Sequence, residues 1–366
     1  MKTFLLALTA WFLLIGTPAR ADETLNILTW EGYLTPEDVS TVNALLQKEG
    51  YAIEVKVISP YAQGAEQMFT LMRGGKVDIS FLTLFFIKMQ GEKASKIIQP
   101  IQTESPRLGN YKHLLPELTQ IPMGMRGNEI LYLPFAGGSY GFYANHKTVS
   151  AADIPQSWSD LFAPRWKGKY SLNKSQVWYN VAIASIALGY KPYYLNDMAN
   201  ARYRLRVIEE TRTGSPLAEK LQALYAGAGD FWDTAPTFAP HLDMVSSWGT
   251  EVAQANRDGG DWRKITFKEG DLVWMDTINF MAHLRGKKLE AAEIVANYFI
   301  GREVQSRVAR ELSLVAVSKL AATNPIWKNN PHFFTRGAFV PPYNTYVDNL
   351  MTHMSNTALS KIKAAP

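Results

Sequence analysis

The chain has 366 residues with 38 Lys and Arg against 33 Asp and Glu, a net charge of +5. That surplus is too small to point to nucleic acid. The absence of cysteine excludes a disulfide framework, a thiolate metal site, a cysteine nucleophile and a lipidated N-terminal cysteine.

The first element is an export signal. Lys2 precedes an apolar run from Phe4 to Ile15, and Pro18-Ala-Arg-Ala21 supplies the small-residue cleavage site after Ala21. The run is shorter than the ~20 residues a bilayer span needs, and nothing comparable recurs. Cleavage at this site removes Lys2 and Arg20 and no acids, so the charge falls from +5 to +3 over the remaining 345 residues. A soluble, exported protein is expected, located in the periplasm of a double-membraned bacterium. A chain of this length buries about three-quarters of its surface and usually divides into two domains.

Leu25-Asn-Ile-Leu-Thr29 reads as a strand, and Trp30-Glu-Gly-Tyr-Leu34 as the loop after it. Thr35 can cap a helix that has Pro36 at its first position, Glu37 and Asp38 in its first turn, and an apolar stripe of Val39, Val42, Leu45 and Leu46 before Gly50. Strand alternation over 53–58, a helix around 67–72 and a strand over 77–82 complete a β-α-β-α-β pattern, that of a parallel sheet covered by helices. Ligands of open α/β sheets bind beyond the carboxyl ends of the strands. Trp30, Tyr33, Phe85 and Phe86 fall at that edge, where Phe85 and Phe86 fit ligand contact and ordinary packing equally.

Strand-like stretches at 130–134 and 135–143 follow a Pro- and Gly-rich segment. Gly137-Gly-Ser-Tyr-Gly141 matches the nucleophile-elbow spacing, but an elbow needs a helix after the serine and this chain continues as a strand. The glycines suit a strand that crosses between two lobes. A second domain is expected from about 149 to 268, with a strand at 170–172 and helices near 178–188 and 198–210. The chain then returns to the first domain, with helices near 288–300 and 302–311 and a last helix near 345–362.

Leu272-Val-Trp-Met-Asp276 puts an indole and a carboxylate on one face of a strand, a pairing suited to a cation. No His spacing suits a metal, and no phosphate loop or dinucleotide fingerprint is present. No cofactor and no metal are therefore expected.

Several segments in order carry a resemblance: Leu25-Asn-Ile-Leu-Thr-Trp-Glu-Gly-Tyr33, Val77-Asp-Ile79 with Phe85-Phe-Ile-Lys-Met89, Leu133-Pro134 with Gly141-Phe-Tyr-Ala-Asn145, Ser157-Trp-Ser-Asp-Leu-Phe-Ala-Pro-Arg-Trp-Lys-Gly168, and Val273-Trp-Met-Asp276. Over most of 24–320 the chain resembles the periplasmic spermidine/putrescine-type solute-binding proteins of ATP-binding cassette (ABC) importers. The resemblance implies an α/β fold of the type II periplasmic binding protein class. In that fold two lobes, each a mixed sheet flanked by helices, clamp the ligand between them. The expected division is 1–21 signal peptide, 22–138 first lobe, 139–273 second lobe, and 274–366 a return to the first lobe with C-terminal helices.

The same resemblance implies a non-enzymatic, monomeric receptor that passes a small amine-type ligand to an inner-membrane ABC permease. Trp30 and Tyr33 match an aromatic pair against the ligand's methylene chain, Trp274 and Asp276 match the indole and amine-binding carboxylate, and Phe85 and Phe86 lie where relatives commonly have tyrosines. Two departures stand out. Asn173-Lys-Ser-Gln-Val-Trp178 lacks the family's acidic residue, and Ser246 stands where the family carries a tryptophan, which leaves Trp248 displaced by two. With Asp276 as the main carboxylate and Glu31 as a second, a ligand with one amine end is expected, its other end neutral or anionic and held by Lys174–Gln176 and Ser246–Ser247. The alternatives are a receptor for an opine, an amino-acid derivative or a zwitterionic amine, and an exported hydrolase using Asp276 with Glu31.

Overall fold

The computed structural model describes residues 23–89 and 96–363; the expected export signal lies outside the described residues. Strands β1 (Glu23–Leu28), β2 (Ile53–Val57) and β3 (Ile79–Thr83) form the parallel order β2-β1-β3. The helix Pro36–Lys48 between β1 and β2 begins on the expected cap. Thr35 Oγ1 accepts from the Asp38 amide at 3.1 Å, and Asp38 Oδ2 accepts from the Thr35 amide at 2.8 Å. Two of the orphan donors of the first turn are thereby satisfied reciprocally.

Beyond a short ribbon of β4 (Met125–Arg126) and β5 (Glu129–Ile130), β6 (Leu133–Asn145) runs through both lobes. Its residues 133–140 pair antiparallel with β11 (Leu272–Phe280), and β11 pairs antiparallel with β3, so both belong to the first lobe's sheet. Residues 141–145 of β6 instead pair with β9 (Met244–Ser247) and β10 (Trp262–Lys264). β7 (Tyr170–Asn173) and β8 (Asp230–Trp232) extend that second sheet in parallel. The expected switch of lobes at 138/139 thus falls within one unbroken strand. Gly137-Gly-Ser-Tyr-Gly141 lies wholly inside it, with no helix after Ser139. Short β12 (Val315–Ala316) joins β6, and β13 (Ala338–Phe339) joins β11.

Two local departures concern the second lobe. The helix expected at 198–210 is two helices, Tyr194–Asn200 and Arg204–Thr211, separated where Arg202 takes a positive φ of 66° that no helix accommodates. A further helix, Pro216–Gly227, starts on a Ser215 cap with Pro216 at its first position. The last helix, Thr345–Lys363, packs on the second-lobe helices Val177–Ala187, Arg204–Thr211 and Pro216–Gly227, although β13 just before it belongs to the first lobe's sheet. One large buried core runs through both lobes.

Candidate ligand-binding site

Asp276 sits in β11 opposite Thr83, the last residue of β3. On its other side the register with β6 slips. Asp276 faces Ala136 while Thr277 faces Pro134, which leaves Phe135 as an extra residue in a β-bulge. A bulge bends the strand and re-aims the side chains beside it. Here Pro134, which has no amide to donate, sits at the slip.

The Tyr33 hydroxyl donates to Asp276 Oδ2 at 2.5 Å. Both side chains are buried, Asp276 being 4% exposed and Tyr33 7%. The Asp276 carboxyl is pushed up to about 6, chiefly by burial, with the Thr83 and Tyr33 hydroxyls offsetting part of the effect. Burial first, and then the Asp276 charge and hydrogen bond, hold the Tyr33 hydroxyl well above the usual tyrosine range. Among the described residues no cation acts on Asp276, and its Oδ1 is buried without a hydrogen-bond partner there. A buried carboxylate is stabilised by a counter-charge or by hydrogen bonds to its oxygens, so this geometry suits a cationic donor delivered from outside.

The loop that carries Tyr33 is itself anchored. Arg307 Nη2 donates to the Tyr33 carbonyl at 3.0 Å and to Asp38 Oδ2 at 2.5 Å, and the Tyr298 hydroxyl donates to Asp38 Oδ1 at 3.1 Å. The helix cap and Tyr33 therefore share one support. Trp30 is half-buried at the start of the same turn, where its carbonyl accepts from the Tyr33 amide at 3.3 Å. Trp274 lies on the same strand face as Asp276, with its ring against Gly138, where an added Cβ would come within 2.8 Å of the indole. The Nε1 atoms of both Trp30 and Trp274 are buried without a partner.

From the second lobe, β7 ends and the helix Val177–Ala187 begins at this junction. Trp178 meets Phe85 with ring centroids 5.9 Å apart, and Tyr179 stacks on Tyr140 at 4.5 Å. Burial first, and in part the Asp276 charge, raise the Tyr179 hydroxyl. The residue list drawn from the sequence omitted Trp178, Tyr179 and Tyr140. The aromatic pair shortly after the β7 strand was the available signal.

The remaining expected residues are placed differently. Glu31 is exposed, whereas Asp276 is buried, so the two do not form the enclosed acid pair a hydrolase would use. Phe85 and Phe86 are buried and meet each other at 4.5 Å, and Phe86 also meets Tyr343 at 6.0 Å. Gln176 is half-buried, with its backbone amide bonded to Asn173 Oδ1 at 2.6 Å. Ser246 Oγ accepts from Trp232 Nε1 at 3.1 Å, and Ser247 Oγ donates to Glu251 at 2.7 Å. Trp248 meets the Trp232 ring at 4.9 Å and the Tyr140 ring at 6.1 Å. Lys174 is exposed and paired with Asp233 at 2.9 Å. The donors expected to hold a polar or anionic ligand end are thus largely engaged within the second lobe.

The chain is similar to the spermidine/putrescine-binding periplasmic protein of Escherichia coli, 23% identical over 313 residues that cover 83% of this chain and 81% of that protein. It is 21% identical over 299 residues to the protein of the same name from Salmonella typhimurium, covering 80% of this chain and 77% of that one. The crystal structure of the substrate-binding protein of the spermidine/putrescine ABC transporter of Streptococcus pneumoniae superposes with a TM-score of 0.68 at 17% identity, covering 93% of this chain and 98% of that one. Such a likeness carries the two-lobed fold. Residues 75–339 match the family described as bacterial extracellular solute-binding protein, and with more than half of its length in that match the chain belongs to this family.

Proposed function

We propose that this protein is the periplasmic receptor of an ABC importer, that it captures a small amine-bearing solute between its lobes without chemical change, and that it delivers the solute as a monomer to the inner-membrane permease. One observation carries the reading of the ligand. Asp276 is buried at the junction of the lobes with one oxygen held by Tyr33 and the other unpartnered, beside the indole of Trp274. An ammonium supplies both the counter-charge and the donors that this carboxylate lacks, and an aromatic face adds roughly 0.5–2 kcal/mol of cation–π attraction. The names of the Escherichia coli and Salmonella relatives, both spermidine/putrescine-binding, support the same ligand class.

Calorimetric titration of the mature protein with putrescine, spermidine, n-butylamine, acetate and neutral amino acids tests the proposal. Amines are expected to bind and acetate is not. Binding of acetate in preference to every amine would overturn it.

A further inference from the structure

The second-lobe helix Arg204–Thr211 is anchored on one side and bare on the other. Val207 and Thr211 are buried, and the helix packs against the last helix and against Tyr194–Asn200 and Pro216–Gly227. Its outer side and the turn before it present large apolar side chains to solvent: Tyr203 is 57% exposed, Leu205 77% and Ile208 45%. Apolar side chains scattered singly over a surface are ordinary. Of the five large apolar residues exposed among the described residues, however, three stand within these six positions.

Arginines alternate with them. Arg202-Tyr203-Arg204-Leu205-Arg206 is exposed at every position, and Arg212 follows at the end of the helix, so that over 202–212 four arginines stand against Glu209 and Glu210. Glu210 already accepts from the Tyr194 hydroxyl at 2.9 Å, which leaves Glu209 as the exposed acid of the helix. Among the described residues the ion pairs of arginine are made elsewhere, and none of these four takes part in one. The Arg204 guanidinium lies 5.4 Å from the Tyr346 ring and that of Arg206 lies 5.8 Å from the Tyr203 ring. Ring faces orient a guanidinium without using its N–H donors, so these donors stay available to an anion.

We propose that this face binds an anionic bilayer surface, with the arginines on lipid phosphates and Tyr203, Leu205 and Ile208 inserted at headgroup level. The arrangement favours a bilayer over a protein partner. A protein interface is depleted of charge at its core and keeps its polar groups at the rim, whereas here charge and apolar side chains alternate residue by residue. In the headgroup region phosphates and the upper acyl chains lie at similar depth, which suits that alternation, and the guanidinium fork matches phosphate oxygens in pairs. Such binding would hold the receptor at the membrane that carries its permease. It goes beyond the reading of the ligand and does not depend on Asp276.

Co-flotation of the mature protein with vesicles tests the assignment. Vesicles of phosphatidylcholine with about 30% phosphatidylglycerol are expected to bind it about tenfold or more better than phosphatidylcholine alone, and about 0.5 M salt should abolish the difference. The combined Arg202→Gly, Arg204→Gln and Arg206→Gln variant should fall to the level of the neutral vesicles, glycine being chosen because Arg202 has a positive φ of 66°. The Leu205→Ser, Ile208→Ser variant should bind the anionic vesicles several-fold more weakly than the wild type. Removal of three exposed lysines elsewhere, Lys112→Gln, Lys287→Gln and Lys328→Gln, should leave binding near the wild-type level. No preference of the wild type for anionic vesicles would overturn the proposal, and so would an equal loss in the lysine variant, which would reduce the effect to general charge attraction. Binding to the detergent-solubilised permease that the arginine variant loses, with no binding to vesicles, would assign the face to a protein and likewise overturn it. Circular dichroism checks that each variant is folded, and the salt and lipid dependence of the wild type decides the matter should one of them not fold.

Discussion

Replacing Asp276 by Asn should stabilise the ligand-free protein while it weakens ligand binding. Burial raises this carboxyl from 3.8 to about 6, so the fold disfavours the charged form, relative to the unfolded chain, by about 3 kcal/mol as an upper limit. The folded value lies above the unfolded one. Between about pH 4 and pH 6 the fold therefore binds the proton more tightly than the unfolded chain does. Stability from this group is fully present below about pH 4, declines as pH rises to about 6, and stays at its lower level above that. Asn keeps the shape and a hydrogen bond to Tyr33 but carries no charge. In urea unfolding followed by circular dichroism, the Asn variant should match the wild type near pH 4 and exceed it by up to about 3 kcal/mol at pH 8. Its amine affinity should fall by about 2–5 kcal/mol, the range for truncating one member of a buried charge pair. A variant no more stable than the wild type at pH 8 would refute the reasoning, since the buried charge would then already be compensated within the protein.

The same titration predicts the pH dependence of binding: n-butylamine affinity should be level above about pH 6 and decline by up to tenfold per unit below it, and calorimetry showing level affinity down to pH 4.5 would contradict this. Gly138→Ala should displace the Trp274 indole, because the new Cβ would sit 2.8 Å from the ring. The expected results are a shift in tryptophan emission and a loss of about 1–3 kcal/mol of stability. Arg307→Ala should cost about 3–5 kcal/mol in urea unfolding, because it leaves Asp38 buried without its cation. It should also weaken amine binding by freeing the loop that carries Tyr33.

Much of this protein was legible in the residues themselves, because the signals are local. The Thr35 cap with Pro36 and Asp38, the alternation that marks β1 to β3, and the spacing that puts Trp274 and Asp276 on one strand face all depend on neighbours a few residues apart. The break at Arg202 and the helix at 216–227 were harder, since a backbone conformation decides the first and the second has only a short Ser-Pro signal. Partnership across the molecule was not legible at all. Tyr33 and Asp276 are 243 positions apart, and they meet because the sheet order β1-β3-β11 brings the loop after β1 near the middle of β11. By residue type, Glu31, Lys174, Ser246 and Ser247 were all available to a ligand. The tertiary structure leaves Glu31 exposed, gives the other three partners of their own, and lays on the second lobe a last helix that the sequence order alone placed with the first lobe's return. Residue type sets which hydrogen bonds and charges a side chain can offer; burial and register, which depend on the whole chain, decide which of them remain unsatisfied.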